Sequence, residues 1–308
     1  MDSIYIERLT KVFKPAWPWK QPVTGLSEVS LSVGQGEIFG FLGPNGAGKT
    51  TTMKILLNVM RATSGRVEIF ETPVTDVAVH KRIGYLPESP YFYDYLTAEE
   101  FLYFYGQLAG MHRELLKKRV PQLLEQVNLI EARERRLRKF SKGMLQRVGL
   151  AQALIHDPEL VILDEPMSGL DPIGRKEVRD VMLSLRDQGK TVFFSTHIIS
   201  DVEMICDRVG ILNKGKLVAQ GRPEELARQH AAHSVEVVCD GVVGDEVPVI
   251  KQTARRILQR GSRCLMIFPG QDRLEDVLMS IRQSGGKLVS ITPHKESLEE
   301  IFLKQVNG

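Results

Sequence analysis

Residues 43–50 read Gly43-Pro44-Asn45-Gly46-Ala47-Gly48-Lys49-Thr50, a glycine-rich run that closes on a lysine and a hydroxyl. Glycine lets the chain turn tightly enough for backbone N–H groups to point inward, and inward N–H groups at a helix start hold phosphate oxygens. In the spacing G-x-x-x-x-G-K-[ST] the loop cradles the phosphates of a nucleotide. Lys49 reaches the β- and γ-phosphates, the Thr50 hydroxyl is a ligand for Mg²⁺, and Thr51 extends the cradle into the following helix. A second cluster is Asp164-Glu165, two carboxylates at the end of the apolar run Leu160-Val161-Ile162-Leu163. Buried carboxylates are costly unless paired or metal-bound. Asp164 therefore suits Mg²⁺, and Glu165 suits a general base that polarises an attacking water. His197 closes another apolar run, TVFFST, and could donate to a γ-phosphate.

These groups act together only if the flanking elements bring them to one place. EIFGFL (37–42) predicts a strand and TTTMKILLNVM a helix, on either side of the glycine-rich turn. ELVILDEP and TVFFSTH predict buried strands, RVGILNKGKLVAQG a hairpin, and residues 3–12 and 27–33 strands from their alternation. Buried strands alternating with helices imply an α/β fold with a mostly parallel sheet. Residues 88–155 differ in character and read as a helical insertion. Thr97 and Glu100 have capping-box spacing for a helix through Met111, and RELLKKRVPQLLEQVNL continues helical, with Pro121 as a break or a first turn. Eight of the 21 aromatic residues fall between Tyr91 and Tyr105, where they either fill the insertion's small core or face a partner. Tyr91, Tyr93 and Tyr95 are the candidates for exposure. KPAWPWKQP (14–22) holds three prolines and both tryptophans, which predicts a loop or edge excursion. Beyond residue 230, SVEVVC, RCLMIF and GKLVSIT read as strands separated by helical TARRILQRG and RLEDVLMSIRQSG. Ser297 and Glu300 have the spacing to open a last helix. That describes a small α/β domain over 232–308.

Composition narrows the classes. The chain has 308 residues, 41 basic against 38 acidic side chains, and a net charge of +3, which disfavours a strongly cationic nucleic-acid binder. Seven Lys/Arg and one acid between Arg133 and Arg147 form a local basic stretch, read as solvated or as serving incoming phosphates. No apolar run approaches the ~18–20 residues that span a bilayer. MDSIYIERLTK has no features of a secretion signal. Cys206, Cys239 and Cys264 are sparse and without a CxxC pair, so reduced buried thiols in a cytoplasmic protein are expected.

In order along the chain, these motifs resemble the ATP-binding cassette (ABC) ATPases. FSKGMLQR (140–147) is similar to the ABC signature, Leu163-Asp164-Glu165 to the Walker B end, SGLD (168–171) to the D-loop, and His197 to the switch histidine. The resemblance covers residues 1 to about 225. It implies a P-loop NTPase fold, with a RecA-like core, an antiparallel β subdomain and the helical subdomain at 88–155. It further implies ATP and Mg²⁺ as ligands and a head-to-tail homodimer that sandwiches two ATP molecules. Ser141, Lys142, Gly143 and Met144 would then meet the γ-phosphate held by the partner's P-loop, with Asp171 across the interface. Phe13 matches the aromatic that stacks on adenine, with Trp17 or Trp19 as substitutes.

Two departures refine the resemblance. Glu88 stands where the family carries a glutamine, and a carboxylate there can ligate Mg²⁺ or hold water. Lys142 and Met144 stand where glycine and glutamine are commoner. YLPE, SKGM and the terminal SLEEIFL resemble the branch that serves ABC-2-type export permeases. The implied function is the ATP-hydrolysing subunit of a transporter, on the cytoplasmic face of a membrane through a separate integral-membrane permease, with no nucleic-acid partner. A soluble ABC ATPase that remodels a ribosome or nucleic-acid complex is the alternative. Such proteins normally join two cassettes in one chain, or interrupt the cassette with long coiled coils, and here there is one P-loop and no such heptads.

Overall fold

The computed structural model describes residues 1–15, 17, 19, 21–229, 235–269 and 273–293. The chain divides into two compact units, Met1–Pro223 and Glu224–Gly308.

In the first unit the described strands are β1 (Asp2–Phe13), β2 (Val23–Gly34), β3 (Ile38–Leu42), β4 (Ser64–Ile69), β5 (Thr72–Pro73) and β6 (Ile83–Leu86). They continue with β7 (Leu160–Leu163), β8 (Thr191–Thr196), β9 (Arg208–Asn213) and β10 (Lys216–Gly221). One sheet has the order β2-β1-β4-β5 and is antiparallel throughout. The other has the order β10-β9-β3-β8-β7-β6. Its β9-β3-β8-β7-β6 part is parallel, and β10 closes it as a hairpin on β9. That hairpin turns at Lys214 and Gly215, both in the left-handed region that two-residue turns require.

The parallel strands are buried on both faces, as their unbroken apolar runs require. In β7, Leu160 and Ile162 join the core shared with the antiparallel sheet, whereas Val161 and Leu163 join the core of the helical side. Phe193 and Phe194 of β8 divide in the same way.

The helices are α1 (Lys49–Leu56), α2 (Val77–His80), α3 (Ala98–Leu108), α4 (Arg113–Gln126), α5 (Lys142–Ala153), α6 (Pro172–Asp187) and α7 (Ile199–Ile205), with α8 (Pro223–Gln229) at the boundary between the units. α1 ends four residues before the predicted limit. The Thr97 hydroxyl accepts the Glu100 N–H at 3.1 Å, and Glu100 accepts the Thr97 N–H at 2.9 Å, so the capping box opens α3. That helix stops at Leu108, ahead of the predicted Met111. Pro121 neither breaks nor opens α4; it lies inside it. The carbonyl it leaves without an N–H partner belongs to Lys117, an exposed residue, where water can take that bond.

Between Tyr91 and Tyr105 the aromatics form a chain of contacts, from Tyr91–Tyr93 at 5.9 Å through Tyr93–Phe104 at 5.4 Å to Phe101–Tyr105 at 4.8 Å. Phe101 is fully buried, and Tyr93 packs against the core, contrary to its expected exposure. Tyr91 and Tyr95 are 81% and 61% exposed. Arg147, at the end of the basic stretch, is not a surface charge. It is buried, donates to the Val127 and Asn128 carbonyls at 2.9 and 3.0 Å, and pairs with Glu177 at 3.3 Å.

The second unit has an antiparallel sheet of β11 (Val235–Asp240), β12 (Arg256–Arg260), β13 (Arg263–Phe268) and β14 (Lys287–Pro293), in the order β12-β13-β11-β14. Helices α9 (Pro248–Thr253) and α10 (Leu274–Gln283) accompany it. Val237, Cys239, Cys264, Met266, Val277 and Ile281 form its core. The predicted helix TARRILQRG is a correction: its centre is the edge strand β12, which pairs with β13 from Arg260↔Arg263 to Arg256↔Ile267. The overlooked signal was Gly261-Ser262, a two-residue hairpin turn between two strand-like runs, with Gly261 at φ +61°. All three cysteines are free thiols, with Cys239 and Cys264 buried opposite one another. The last predicted helix, from Ser297, lies outside the described residues.

Candidate active site

Four neighbouring parallel strands, β3, β8, β7 and β6, deliver the chemistry-bearing residues to one edge of the sheet. β3 runs into Gly43–Thr50, β8 into His197, β7 into Asp164 and Glu165, and β6 into Glu88. The carboxyl ends of parallel strands are where an α/β sheet opens a crevice for ligands. Lys49 and Glu165, 116 positions apart in sequence, meet there because β8 lies between β3 and β7.

The glycine-rich turn is enforced by its surroundings. A Cβ on Gly43 would come 2.4 Å from the Leu212 carbonyl oxygen. Gly48 has φ +112°, and a Cβ there would lie 2.9 Å from the Gly25 carbonyl oxygen. Gly48 accepts the Thr52 N–H at 3.0 Å as α1 begins, so the helix N-terminus opens onto the loop. The Lys49 ammonium folds back along the loop, donating to the Gly43 carbonyl at 2.6 Å and the Pro44 carbonyl at 3.3 Å. It also lies 3.2 Å from Glu165 Oε1, and both side chains are more than nine-tenths buried.

Glu165 is held from several sides. His197 Nδ1 lies 2.9 Å from its Oε2. Its backbone N–H donates to Ser195 Oγ at 2.9 Å, and the Ser195 hydroxyl donates to Asp164 Oδ1 at 2.6 Å. Glu165 has φ +48°, a left-handed backbone that costs a non-glycine residue of order 1–3 kcal/mol and persists where the surroundings over-determine it. Its Oε1 has no hydrogen-bond partner besides the ion pair with Lys49, whose ammonium also donates to two loop carbonyls. A buried acceptor beside a cation fits a water that donates to it. Asp164 is almost fully buried, and burial followed by its charge pushes the Tyr85 phenol up to about 12. With Thr50 and Glu88 at the same edge, oxygen donors of this kind suit a hard cation such as Mg²⁺.

A cleft of about 430 Å³ lies over this edge, lined by Phe13, Gly25, Asn45, Lys49, Thr50, Glu88 and Glu165 among others. Pro44, Gly46, Gly48 and Thr51 line it too, and Ala47, at the turn's inner side, is buried. Phe13 is its described aromatic wall, and its ring lies against Gly25, where a Cβ would approach to 2.5 Å. Trp17 and Trp19 stack on each other at 5.1 Å and are not among the lining residues. Ser141, Lys142, Gly143, Met144 and Asp171 do not line it either. Ser141 caps α5 by accepting the Met144 N–H at 3.3 Å, and the Met144 side chain packs onto the helical core. Lys142 lies against Gly169, and Asp171 caps α6 by accepting the Gly174 N–H at 2.8 Å. Ser195 was not singled out from the sequence; the signal was a hydroxyl inside an otherwise apolar strand end, beside a carboxylate pair.

The model of the ABC transporter family matches residues 26–168. An uncharacterized ABC transporter ATP-binding protein of Nostoc sp. is 43% identical over 97% of this chain and 88% of its own length. This chain is an ABC transporter ATP-binding protein. The bacitracin transport ATP-binding protein BcrA of Bacillus licheniformis is 35% identical over 92% of each cassette protein. Among solved structures, an ATP-binding subunit of an ABC transporter superposes with a TM-score of 0.64 at 30% identity, covering 73% of this chain and 92% of that one. A dimeric ATP-binding cassette in a post-hydrolysis state, bound to ADP and phosphate, matches with a TM-score of 0.64 at 25% identity, over 71% of this chain and 98% of that one. The fold is the ABC cassette, with a parallel core and antiparallel sheets. Among the described residues no helix is long and apolar enough to cross a membrane.

Proposed function

We propose that this cassette binds and hydrolyses MgATP and drives a separate membrane permease, with export as its direction. The observation that carries the hydrolytic reading is the Lys49–Glu165–His197 set, assembled from three strand ends around one buried carboxylate. The loop amides and Lys49 bind the phosphates, and Phe13 supports the adenine by stacking. Thr50, Asp164 and Glu88 are the residues that would hold Mg²⁺, which supplies charge neutralisation at the phosphate oxygens. Glu165 takes a proton from the attacking water at its carboxylate, and His197 holds the carboxylate and contacts the γ-phosphate. Catalysis is then mostly positioning and electrostatic stabilisation of phosphoryl transfer to water.

Ser141, Lys142, Gly143, Met144 and Asp171 lie away from the cleft of their own chain, which is what a head-to-tail homodimer needs if they complete the partner's site. A relative named for bacitracin transport supports the transport reading, and the lean to export rests on the resemblance of YLPE, SKGM and SLEEIFL to the export branch. The aromatic surface at Tyr91 and Tyr95 is the proposed permease contact, since exposed aromatics serve as anchors in interfaces. The test purifies the chain from detergent-solubilised membranes and assays ATPase activity. Co-purification with a polytopic membrane protein that stimulates ATP turnover is expected; ribosome or DNA association without one would contradict it.

A further inference from the structure

β8 runs beside β7 in parallel register, with Leu163 opposite Phe194, so the next pair brings Ser195 alongside Asp164. Ser195 is fully buried, in a strand whose neighbours are apolar. A hydroxyl in such a place is costly unless both its donor and acceptor capacity are used. Here both are: it donates to the Asp164 carboxylate and accepts the Glu165 N–H. One side chain therefore fixes the rotation of one carboxylate and the backbone of the next residue, the one held at φ +48°. From that left-handed backbone the Glu165 side chain reaches Lys49 and His197.

We propose that Ser195 is a positioning residue for ATP hydrolysis: its hydroxyl locks the Asp164 carboxylate and the Glu165 backbone together, and so aims the base. The proposal rests on the hydrolytic reading above. Residues that orient a metal-binding or catalytic group from behind typically matter by about 10- to 100-fold.

The test compares the full chain with Ser195→Ala and Ser195→Thr. Three quantities are measured: steady-state ATPase kinetics, the melting temperature without nucleotide, and the melting shift given by ATP as Mg²⁺ is titrated. For Ser195→Ala, kcat is expected to fall about 10- to 100-fold with KM for ATP within about threefold. The Mg²⁺ needed for half of the ATP-dependent shift should rise severalfold, while the shift without Mg²⁺ stays the same. Ser195→Thr, which restores the hydroxyl, should recover most of the lost kcat. A Ser195→Ala protein with wild-type kcat and wild-type Mg²⁺ dependence overturns the proposal. So does a folded Ser195→Thr protein that is no better than Ser195→Ala in both. If Ser195→Ala melts far below wild type, Ser195→Cys, nearly the same size with a weak donor, takes its place under the same criteria. A wild-type chain that binds MgATP without hydrolysing it defeats the hydrolytic reading, and the Mg²⁺ titration then still decides the role of Ser195.

Discussion

Lys49 Nζ lies 3.2 Å from Glu165 Oε1, and both side chains are more than nine-tenths buried at the floor of the cleft. On the proposed function, this pair joins the phosphate-binding cation to the hydrolytic carboxylate before nucleotide arrives. On that same function, phosphate entering the loop would compete for the cation and free the carboxylate. Lys49→Ala removes the cation and leaves Glu165 buried beside a neutral loop. ATP binding should fall below detection in a fluorescent-nucleotide titration. The nucleotide-free protein should also lose about 3–5 kcal/mol in urea unfolding, the usual cost of stranding one partner of a buried pair.

Phe13, and not Trp17 or Trp19, walls the cleft. Phe13→Ala should weaken ATP binding by an amount equivalent to about 1–3 kcal/mol of lost stacking, while Trp17→Ala and Trp19→Ala leave affinity unchanged. Gly25→Val should mimic Phe13→Ala in the same titration, because its side chain would displace the ring.

His156 sits in the turn just after α5, with its Nε2 3.0 Å from the Ile83 carbonyl. Burial lowers its pKa, partly opposed by that hydrogen bond. A histidine lowered in the folded state contributes its stability above the unfolded value near 6.5, and loses it as pH falls toward the folded value, because the unfolded chain takes up the proton first. Melting temperature should therefore drop on acidification below pH ~6.5. His156→Gln should flatten that part of the profile, as followed by circular dichroism across pH.

Tyr91 and Tyr95 are exposed, whereas Tyr93 is held in the aromatic chain between them. Tyr91→Ser with Tyr95→Ser should keep basal ATPase activity and abolish its stimulation by the permease in proteoliposomes. Tyr93→Ser should instead lower the melting temperature.

Much of this site was legible because its chemistry is carried by short motifs tied to strand ends. An apolar run that stops at Asp164-Glu165 or at His197 already says that those groups stand at the rim of a buried sheet. Strand order was not legible, and it is strand order that places His197 on Glu165. Ser195 was missed because a single serine in an apolar strand has no periodic signature, and its role appears only when β7 and β8 align. The edge strand β12 was misread because RILQR fits a helical face as well as a half-exposed strand, and the turn at Gly261 decides between them. Arg147 shows the same limit in reverse: a charge run in sequence became, at one position, a buried brace for two carbonyls.

The central claim is that Glu165 is the base of an ATP-hydrolysing cassette, and Glu165→Gln tests it most directly. Single-turnover and steady-state ATPase rates would be measured beside MgATP binding on the same preparation. The expected result is a fall in turnover of about 10²–10⁴-fold with MgATP affinity preserved, since the amide keeps the shape of the site but cannot accept the water's proton. Turnover close to that of the wild type would contradict it.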